Sequence, residues 1–301
     1  MIKPLVVGNR IFPVNLIQGP LAGYTCFPLR LLTWKYGRPA FTCTEMLSCK
    51  ALIYKQKKMY QRYVEKHPAE GPVCFQLFGD NPADLAIATK IATDYGADLI
   101  DLNCGCPVKK VRRQGAGSSL LSEASKIYAL ISAMKQNTNL PVSIKIRVEG
   151  DGLEKFNQSI ADAVNDAGVD FLVVHGRRWT DTYVTPCRYE QIKFFVDAVK
   201  VPVIGNGDVF DLASLKKMFA TGCAGVMMAR AGIGQPWLTK KLITEMNGEE
   251  FIVPTPTEVE AIFAEHLALL AQLFGSEKHA ALHARKLVKY YKKFCPPTQV
   301  L

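Results

Sequence analysis

The chain has 301 residues, 49% of them hydrophobic, which is enough for one large domain with a small appendage. Its apolar runs are too short to span a bilayer, and no charged segment followed by an apolar one opens the sequence, so we expect neither a membrane span nor a secretory signal. A formal net charge of +10 favours a polyanionic partner such as nucleic acid, the alternative being a merely basic surface.

Short apolar segments alternate with amphipathic ones along most of the chain. A hairpin is predicted over residues 5–13, with Gly8-Asn9 at its turn. The strand candidates after it are residues 16–18, 40–44, 73–78, 99–103, 142–146, 171–175, 203–206 and 225–229. The helical stretches between them include residues 82–95, 122–136, 153–167 and 211–220. This repetition predicts an α/β fold, a (β/α)₈ TIM barrel, because a doubly wound sheet would need fewer strands.

The pattern changes after Met246, where no further strand candidate occurs. One helix is predicted over residues 257–274 with Thr257 as its cap, and a second over residues 276–294, stopped by Pro296-Pro297. The sequence therefore predicts a barrel domain followed by a small all-helical domain, residues 1–249 and 250–301.

Nine cysteines are spread along the chain from Cys26 to Cys295. The number is odd, and the spacing lacks the density of a disulfide framework. This favours free thiols in a reducing cytoplasm. We expect a monomer by default.

Polar residues follow the predicted strands at the end where a barrel of this kind carries its active site. The set is Pro20-Leu-Ala-Gly23, Glu45, Gln76, Asn103 with Cys106, Lys145 with Arg147, His175, Asn206 with Asp208, and Arg230. Any one of these could simply cap an element or satisfy a hydrogen bond. Together they indicate a mouth built to hold a polar, planar ligand.

Two segments after the last strands indicate a phosphate site. Gly205-Asn-Gly207-Asp208 and Ala229-Arg230-Ala-Gly232 combine small residues with a cation, although two ordinary glycine turns would look similar. Lys145 would be a buried charge in need of an acceptor, such as N1 or O2 of a flavin ring.

The loop Asp101-Leu-Asn-Cys-Gly-Cys-Pro107 carries two thiols beyond a buried strand. Such a thiol can act as nucleophile, metal ligand or proton donor. No second Cys or His pair completes a zinc site, so we expect no metal, and no nucleophile elbow supports a hydrolase. Spacing alone does not choose between Cys104 and Cys106, although Pro107 restrains the direction of Cys106.

Taken together, these segments resemble the tRNA-dihydrouridine synthases, a family of FMN enzymes, and are most similar to its bacterial B and C branches. The matching motifs, in family order, are Gln18-Gly-Pro-Leu-Ala-Gly23, Phe75-Gln-Leu-Phe-Gly79, Asp101 to Pro107, Lys109-Lys-Val111, Gly115-Ala-Gly-Ser-Ser-Leu-Leu121, Lys145-Ile-Arg147, Val174-His-Gly-Arg177, Asn206-Gly-Asp208 and Ala284-Arg-Lys286.

The resemblance implies NADPH-driven reduction of the C5=C6 bond of uridines in the D-loop of tRNA, through FMN. Cys106 would be the proton donor. FMN would be held by Pro20, Leu21, Ala22, Gln76, Lys145, His175, Asn206, Gly207, Asp208, Ala229 and Arg230. The substrate candidates are Asn103, which would contact flavin or uracil, and Lys109, Arg147, Arg177, Arg285, Lys286 and Lys289.

The basic segment from Arg285 to Lys293 has the spacing of one helical face, with Tyr290 and Tyr291 within it. Such a face suits phosphate contact and base stacking. Two alternatives stay open. One is an FMN oxidoreductase acting on a free pyrimidine, similar to dihydroorotate or dihydropyrimidine dehydrogenases. The other is an RNA-binding protein without catalysis, against which the presence of Cys106, Lys145 and His175 argues.

Overall fold

The computed structural model describes residues 1–149 and 154–295. An antiparallel hairpin of β1 (Leu5–Val7) and β2 (Arg10–Phe12) precedes a closed barrel of parallel strands. The barrel strands are β3 (Leu16–Gln18), β4 (Thr42–Cys43) with its continuation β5 (Leu47–Ser48), β6 (Val73–Phe78), β7 (Leu99–Cys104), β8 (Val142–Arg147), β9 (Phe171–His175), β10 (Val203–Asn206) and β11 (Gly225–Met228). The last strand pairs with the first, and this closure confirms the predicted (β/α)₈ TIM barrel.

Helices follow the strands and cover the outside of the barrel. They are α1 (Phe27–Gly37), α2 (Cys49–Tyr54), α3 (Lys57–Val64), α4 (Pro82–Asp94), α5 (Lys109–Arg112), α6 (Ala124–Lys135), α7 (Glu154–Ala167), α8 (Tyr189–Ala198), α9 (Leu212–Phe219), α10 (Leu238–Met246), α11 (Pro256–Phe274) and α12 (Glu277–Tyr291). The predicted start of one helix at residue 153 and the stop at Pro296-Pro297 lie outside the described residues. The helix predicted from residue 122 begins later, because Gly117–Ser122 forms a 3₁₀ helix.

The amino-terminal end of the barrel is filled with apolar side chains. The rings of Phe12 and Phe41 lie 5.3 Å apart, and Phe171 lies 6.0 Å from Phe41. The β1–β2 hairpin contributes Leu5 and Val7 to this cluster. Burial of these aromatic and aliphatic groups stabilises the closed end, and a ligand can therefore enter only at the opposite end.

The alternation of side chains along the strands brings polar groups into the barrel interior near its carboxyl end. On β8, Val142, Ile144 and Ile146 pack in the apolar layer between strands and helices. The intervening Lys145 and Arg147 line the mouth of the barrel instead. Strand β8 thus contributes side chains both to the apolar core and to the mouth of the barrel.

The last two helices pack against each other and onto α1. Lys35 Nζ lies 2.7 Å and the Tyr36 hydroxyl 2.8 Å from the carboxylate of Glu265 on α11. An apolar cluster shared with Trp237 connects this helix pair to the barrel. The predicted division into domains 1–249 and 250–301 stays a prediction.

The expected cap of the first of these helices, Thr257, is wrong. Thr255 caps α11 instead, and its hydroxyl accepts from Glu258 N while the Glu258 side chain accepts from Thr255 N. Pro256 then occupies the first helical turn, where its missing N–H costs nothing.

Three further observations concern residues 1–149 and 154–295. None of their helices is long and apolar enough to cross a membrane. All nine cysteines fall in this part of the chain as free thiols, and Cys106 is the one that is not buried. Nowhere in it do three or more His, Cys, Asp or Glu side chains gather as a metal ion would require.

A buried ion pair fastens α1 to the loop before β6. The guanidinium of Arg30 is fully buried and donates to both carboxylate oxygens of Glu70, at 2.8 and 3.1 Å. It also donates to the carbonyls of Thr25 and Glu65, at 2.8 and 2.7 Å. Removing Glu70 would therefore leave a buried cation without its counter-charge.

We expect Glu70→Ala to lower the free energy of unfolding by about 3–5 kcal/mol, because breaking a buried pair strands the remaining charge. Urea denaturation followed by circular dichroism measures the change. Glu249→Ala, at an exposed position, is the matched control and should leave the midpoint unchanged. Equal effects of the two substitutions would contradict a structural role for the pair.

Candidate active site at the barrel mouth

A cavity of about 280 Å³ opens at the carboxyl ends of the barrel strands. All of the predicted cofactor residues line it, namely Pro20, Leu21, Ala22, Gln76, Lys145, His175, Asn206, Gly207, Asp208, Ala229 and Arg230. Cys106, Asn103, Arg147 and Arg177 line it too. The structure thus brings together residues that are widely separated in sequence.

A buried hydrogen-bond network fixes the wall that carries the catalytic candidate. The carboxylate of Asp101 accepts from Ser143 Oγ at 2.6 Å and from Gln76 Nε2 at 2.7 Å. Gln76 Oε1 in turn accepts from Asn103 Nδ2 at 2.7 Å. Asn103 Oδ1 then accepts the backbone N–H groups of Gly105 and Cys106, at 3.1 and 2.9 Å. The amide of Asn103 therefore shapes the loop.

The other side of the loop is held by the 3₁₀ helix that follows it. Ser118 N donates to Cys106 O at 3.0 Å. Gly117 adopts a φ of +63°, and a Cβ atom there would lie 2.8 Å from Cys106 O. Only glycine permits this close approach, and the loop is clamped between two elements as a result.

The structure distinguishes the two thiols of the loop. Cys104 ends β7 and is buried in the apolar layer outside the barrel. Cys106 is partly exposed and lines the cavity. Burial raises the pKa of Cys106 above its ordinary range, although Arg147 opposes this shift. Cys106 is therefore a protonated thiol at neutral pH, as a general acid must be.

A half-buried cation lies across the cavity. Lys145 Nζ donates to Asn206 Oδ1 at 2.9 Å, and Asn206 Nδ2 donates to Met227 O at 2.8 Å. Desolvation, and then the charge of Arg147, lower the pKa of Lys145 to about 8, although Asp101 opposes the shift. A neutral amide does not balance a partly desolvated ammonium, so this position suits a ligand with acceptor atoms.

His175 lies beside the same cations. Burial and then Lys145, Arg147 and Arg177 lower its pKa well below the usual range. Its imidazole is therefore neutral near neutral pH and has one donor and one acceptor nitrogen.

Buried Arg177 pairs with half-buried Asp208 at the rim. Both carboxylate oxygens of Asp208 lie 2.6 Å from Arg177 Nη2, and one accepts from Cys187 N at 3.0 Å. Arg177 also donates to the carbonyls of Thr185 and Tyr183, at 2.6 and 3.3 Å. Arg177 is thus engaged in holding the loop around these carbonyls. The carboxylate of Asp208 is occupied as well.

Arg230 completes the rim with a free face. Its guanidinium stacks 3.8 Å from the ring centroid of Tyr183 and lies 3.8 Å from the carboxylate of Asp208. Asp208 adopts a φ of +50° beside Gly207 at +128°, so the chain turns sharply below Arg230. Small residues beside a partly exposed cation fit an anionic group.

The family model described as dihydrouridine synthase (Dus) matches residues 17–301. The chain belongs to the dihydrouridine synthase family. The tRNA-dihydrouridine synthase B of Pseudomonas aeruginosa is 32% identical over 292 residues, covering 96% of this chain and 87% of that protein. The protein of the same name from Proteus vulgaris is 33% identical, covering 92% and 86%. A probable tRNA-dihydrouridine synthase 1 from Synechocystis is 32% identical, covering 99% and 84%.

Solved structures share the fold of this dihydrouridine synthase family member at low sequence identity. A morphinone reductase in complex with tetrahydroNAD superposes with a TM-score of 0.60 at 13% identity, covering 85% of this chain and 93% of that one. A variant of NCR from Zymomonas mobilis gives 0.60 at 13%, covering 80% and 90%. These likenesses support the barrel architecture alone.

The remaining substrate candidates lie away from the cavity. Lys109 on α5 and both Arg285 and Lys289 on α12 are exposed. Lys286 is half-buried, with Nζ 4.8 Å from the ring centroid of Tyr24. Burial lowers the pKa of Lys286, and Glu45 opposes that shift. Lys286 thus joins α12 to the loop at the mouth.

The expected stacking role of Tyr291 is wrong. Its side chain is fully buried, and its hydroxyl lies 3.0 Å from Nδ1 of buried His266. The residue occupies the inner face of α12 because the helix must bury an apolar stripe against α11. Tyr290 is half-buried and packs edge-on to Tyr24, with centroids 6.1 Å apart.

Two contributors to the site, Asp101 and Tyr183, were given no role by the sequence analysis, and a third, Glu45, was placed at the mouth without a partner. Asp101 anchors the loop network, Tyr183 carries Arg230, and Glu45 accepts from Gly23 N. A carboxylate within the buried run of β7 was a usable signal for Asp101, because such a charge needs partners. Nothing in the sequence signals Tyr183, which comes from a loop distant in sequence from Arg230.

Cys106 should be the cysteine that iodoacetamide modifies in the folded protein, since the other thiols are buried. Its raised pKa should make the reaction slow near neutrality and progressively faster up to and beyond pH 9. Mass spectrometry of the native protein measures the labelling. Cys106→Ala should abolish this pH-dependent labelling, and Cys104→Ala should leave it intact. Labelling of Cys104 in the native protein would contradict the assignment.

Proposed function

We propose that this family member is a flavin-dependent tRNA-dihydrouridine synthase, which reduces the C5=C6 bond of uridines in the tRNA D-loop with NADPH through FMN. Membership of the dihydrouridine synthase family supports the reaction class. The observation that carries the mechanism is the clamped, protonated thiol of Cys106, which lines the same cavity as the half-buried cation Lys145.

The lining of the cavity fits FMN. Lys145 is a half-buried ammonium whose partner is a neutral amide, and the acceptors N1 and O2 of a flavin ring would complete its coordination. Neutral His175 and the amide of Gln76 can donate to the same ring. Arg230 and the small residues after β10 and β11 would hold the phosphate, with Asp208 contributing its backbone because its carboxylate is engaged by Arg177.

When bound and reduced by NADPH, FMN would supply the hydride that C6 of the uracil takes up. Cys106 would give its thiol proton to C5 and be left as a thiolate, so that one hydride and one proton saturate the double bond. Arg147 favours this thiolate electrostatically, since its charge opposes the raised pKa of Cys106. Asn103 holds the loop backbone and thereby fixes the direction of proton delivery.

The basic exterior suits a folded RNA. Lys109 on α5 and Arg285 and Lys289 on α12 are exposed cations outside the mouth, where they would contact phosphates. Residues 250–301 would serve as a tRNA-binding domain beside the barrel. The target uridine must leave its stack to reach Cys106, which such contacts would make possible. Nine free thiols support a cytoplasmic location.

Cys106→Ala should bind FMN and accept electrons from NADPH normally, but form dihydrouridine roughly 10²–10⁴-fold more slowly, because the general acid is lost. Cys104→Ala should cost little. Single-turnover oxidation of the reduced enzyme by tRNA, with dihydrouridine mapped by sequencing, measures both. Equal losses in the two variants would sink the assignment. Turnover of free uracil in preference to tRNA would favour a free-pyrimidine oxidoreductase.

Lys145 should make FMN binding depend on pH. Its pKa is lowered to about 8 in the free protein, so its positive charge is present below that pH and is lost as the pH rises through it. FMN affinity should accordingly fall above pH 8 by up to about tenfold per pH unit. Quenching of flavin fluorescence by the apoprotein measures this. Lys145→Met should bind FMN weakly, and its FMN affinity should not fall above pH 8. The exposed control Lys193→Met should match wild type. An unchanged pH dependence in Lys145→Met would refute the role of Lys145 in FMN binding.

A further inference from the structure

A second cavity, of about 480 Å³, adjoins the barrel mouth. It shares the lining residues Ala22, Met46 and Val108 with the first cavity, so the two lie side by side. Helices α2 and α3 form one side, and α5 with the residues after it forms the other. None of the roles proposed above uses this space.

Glu45, which lines the second cavity, has a carboxylate oxygen without a hydrogen-bond donor among the described residues. Glu45 is 2% exposed, and its Oε2 accepts from Gly23 N and lies 3.5 Å from Arg62 Nη2. Its Oε1 is buried, and no donor in the described parts of the chain reaches it. An unsatisfied buried acceptor is costly, which indicates that a ligand supplies the donor.

The walls of the cavity suit a flat, aromatic group. The guanidinium of Arg62 stacks 4.3 Å from the ring centroid of Tyr63 and donates to its hydroxyl at 3.0 Å. Tyr60 contributes a second ring, held edge-on against Tyr95 at 6.3 Å. Nucleobases stack on such surfaces whatever their sequence.

Charge selects the kind of group that can enter. Inside the cavity Glu45 and Arg62 offset each other's charge, so a neutral group fits there, whereas Lys110 adds a positive charge on the α5 side. A nucleotide fits both parts of the cavity if its neutral base lies inside and its phosphate lies near Lys110. Carboxylates recognise bases by accepting from exocyclic amino groups, as with N4 of cytosine.

We propose that this second cavity binds the nucleobase next to the target uridine in the RNA, and that Glu45 Oε1 accepts from an exocyclic amino group on that base. The inference rests on the proposed function, because it takes the occupant of the first cavity to be the target uridine. Adenine, cytosine and guanine carry such an amino group, whereas uracil does not.

The test compares unmodified tRNA transcripts that differ only in the base before or after the uridine that the enzyme reduces, as mapped by sequencing. At one of these two positions, wild-type enzyme should prefer an amino-bearing base over uracil by at least about tenfold in kcat/KM. The preference should reside in KM for the RNA, with kcat unchanged, since Glu45 does not touch the reacting atoms.

Glu45→Gln should abolish that preference. Its carbonyl oxygen can still accept from Gly23 N, which turns an NH₂ donor toward the cavity in place of the acceptor. Ala51→Leu is a second variant that leaves Glu45 intact and fills the cavity from α2, and it should abolish the preference as well. Glu249→Gln, exposed beyond α10, is the matched control and should retain it.

Three results would overturn the inference. The first is equal use of all four bases at both positions by wild type. The second is an undiminished preference in Glu45→Gln or in Ala51→Leu. The third is a raised KM for NADPH in these variants with RNA preference intact, which would assign the cavity to the adenine of the reductant. Failure of wild type to form dihydrouridine in any transcript would instead refute the proposed function itself.

Discussion

The site depends on one buried carboxylate. Asp101 lies within β7 and accepts hydrogen bonds from Ser143 and Gln76. Gln76, oriented in this way, accepts from Asn103, and Asn103 in turn holds the backbone of the loop. Burial raises the pKa of Asp101 to about 6, while its hydrogen bonds and Lys145 lower it. Each member of the network is satisfied by the next, so the loop that carries Cys106 is held by several bonds at once.

The mouth concentrates positive charge beyond what its own acids balance. Lys145, Arg147 and Arg230 all line one cavity, and the carboxylate of Asp208 is already committed to Arg177. The depressed pKa values of Lys145 and His175 express the cost of this arrangement in the free protein. An anionic, acceptor-rich ligand would relieve that cost, so the charge of the cavity suits such a ligand.

Helix α12 approaches the barrel at the loop beside its mouth. Lys286 on α12 approaches the loop at Gly23, where a Cβ atom would lie 3.1 Å from Nζ, and its charge faces Glu45. Glu45 in turn holds Gly23 N and faces the second cavity. The charge of Lys286 on α12 therefore acts on Glu45 at the mouth. A contact that α12 makes through Lys286 would change the electrostatic environment of the cavity that Glu45 lines.

The sequence by itself determined the barrel, because strand and helix periods are local properties that recur along the chain. It also determined which residue types stand at the strand ends, and Gln76, Lys145 and His175 were identifiable without coordinates. Spacing did not separate Cys104 from Cys106, and only the family resemblance favoured Cys106. The tertiary structure supplies the physical reason, which depends on where β7 ends and on Gly117 closing over the loop.

The two local errors have the same origin. Thr257 and Thr255 are both suitable helix caps by residue type. Thr255 is the cap because it and Glu258 form reciprocal hydrogen bonds between side chain and backbone. Tyr291 sits in a basic helical run, but the packing of α12 on α11 decides which face is buried. Long-range partners such as Glu45 with Gly23 carry no local signal, so only the folded chain reveals them.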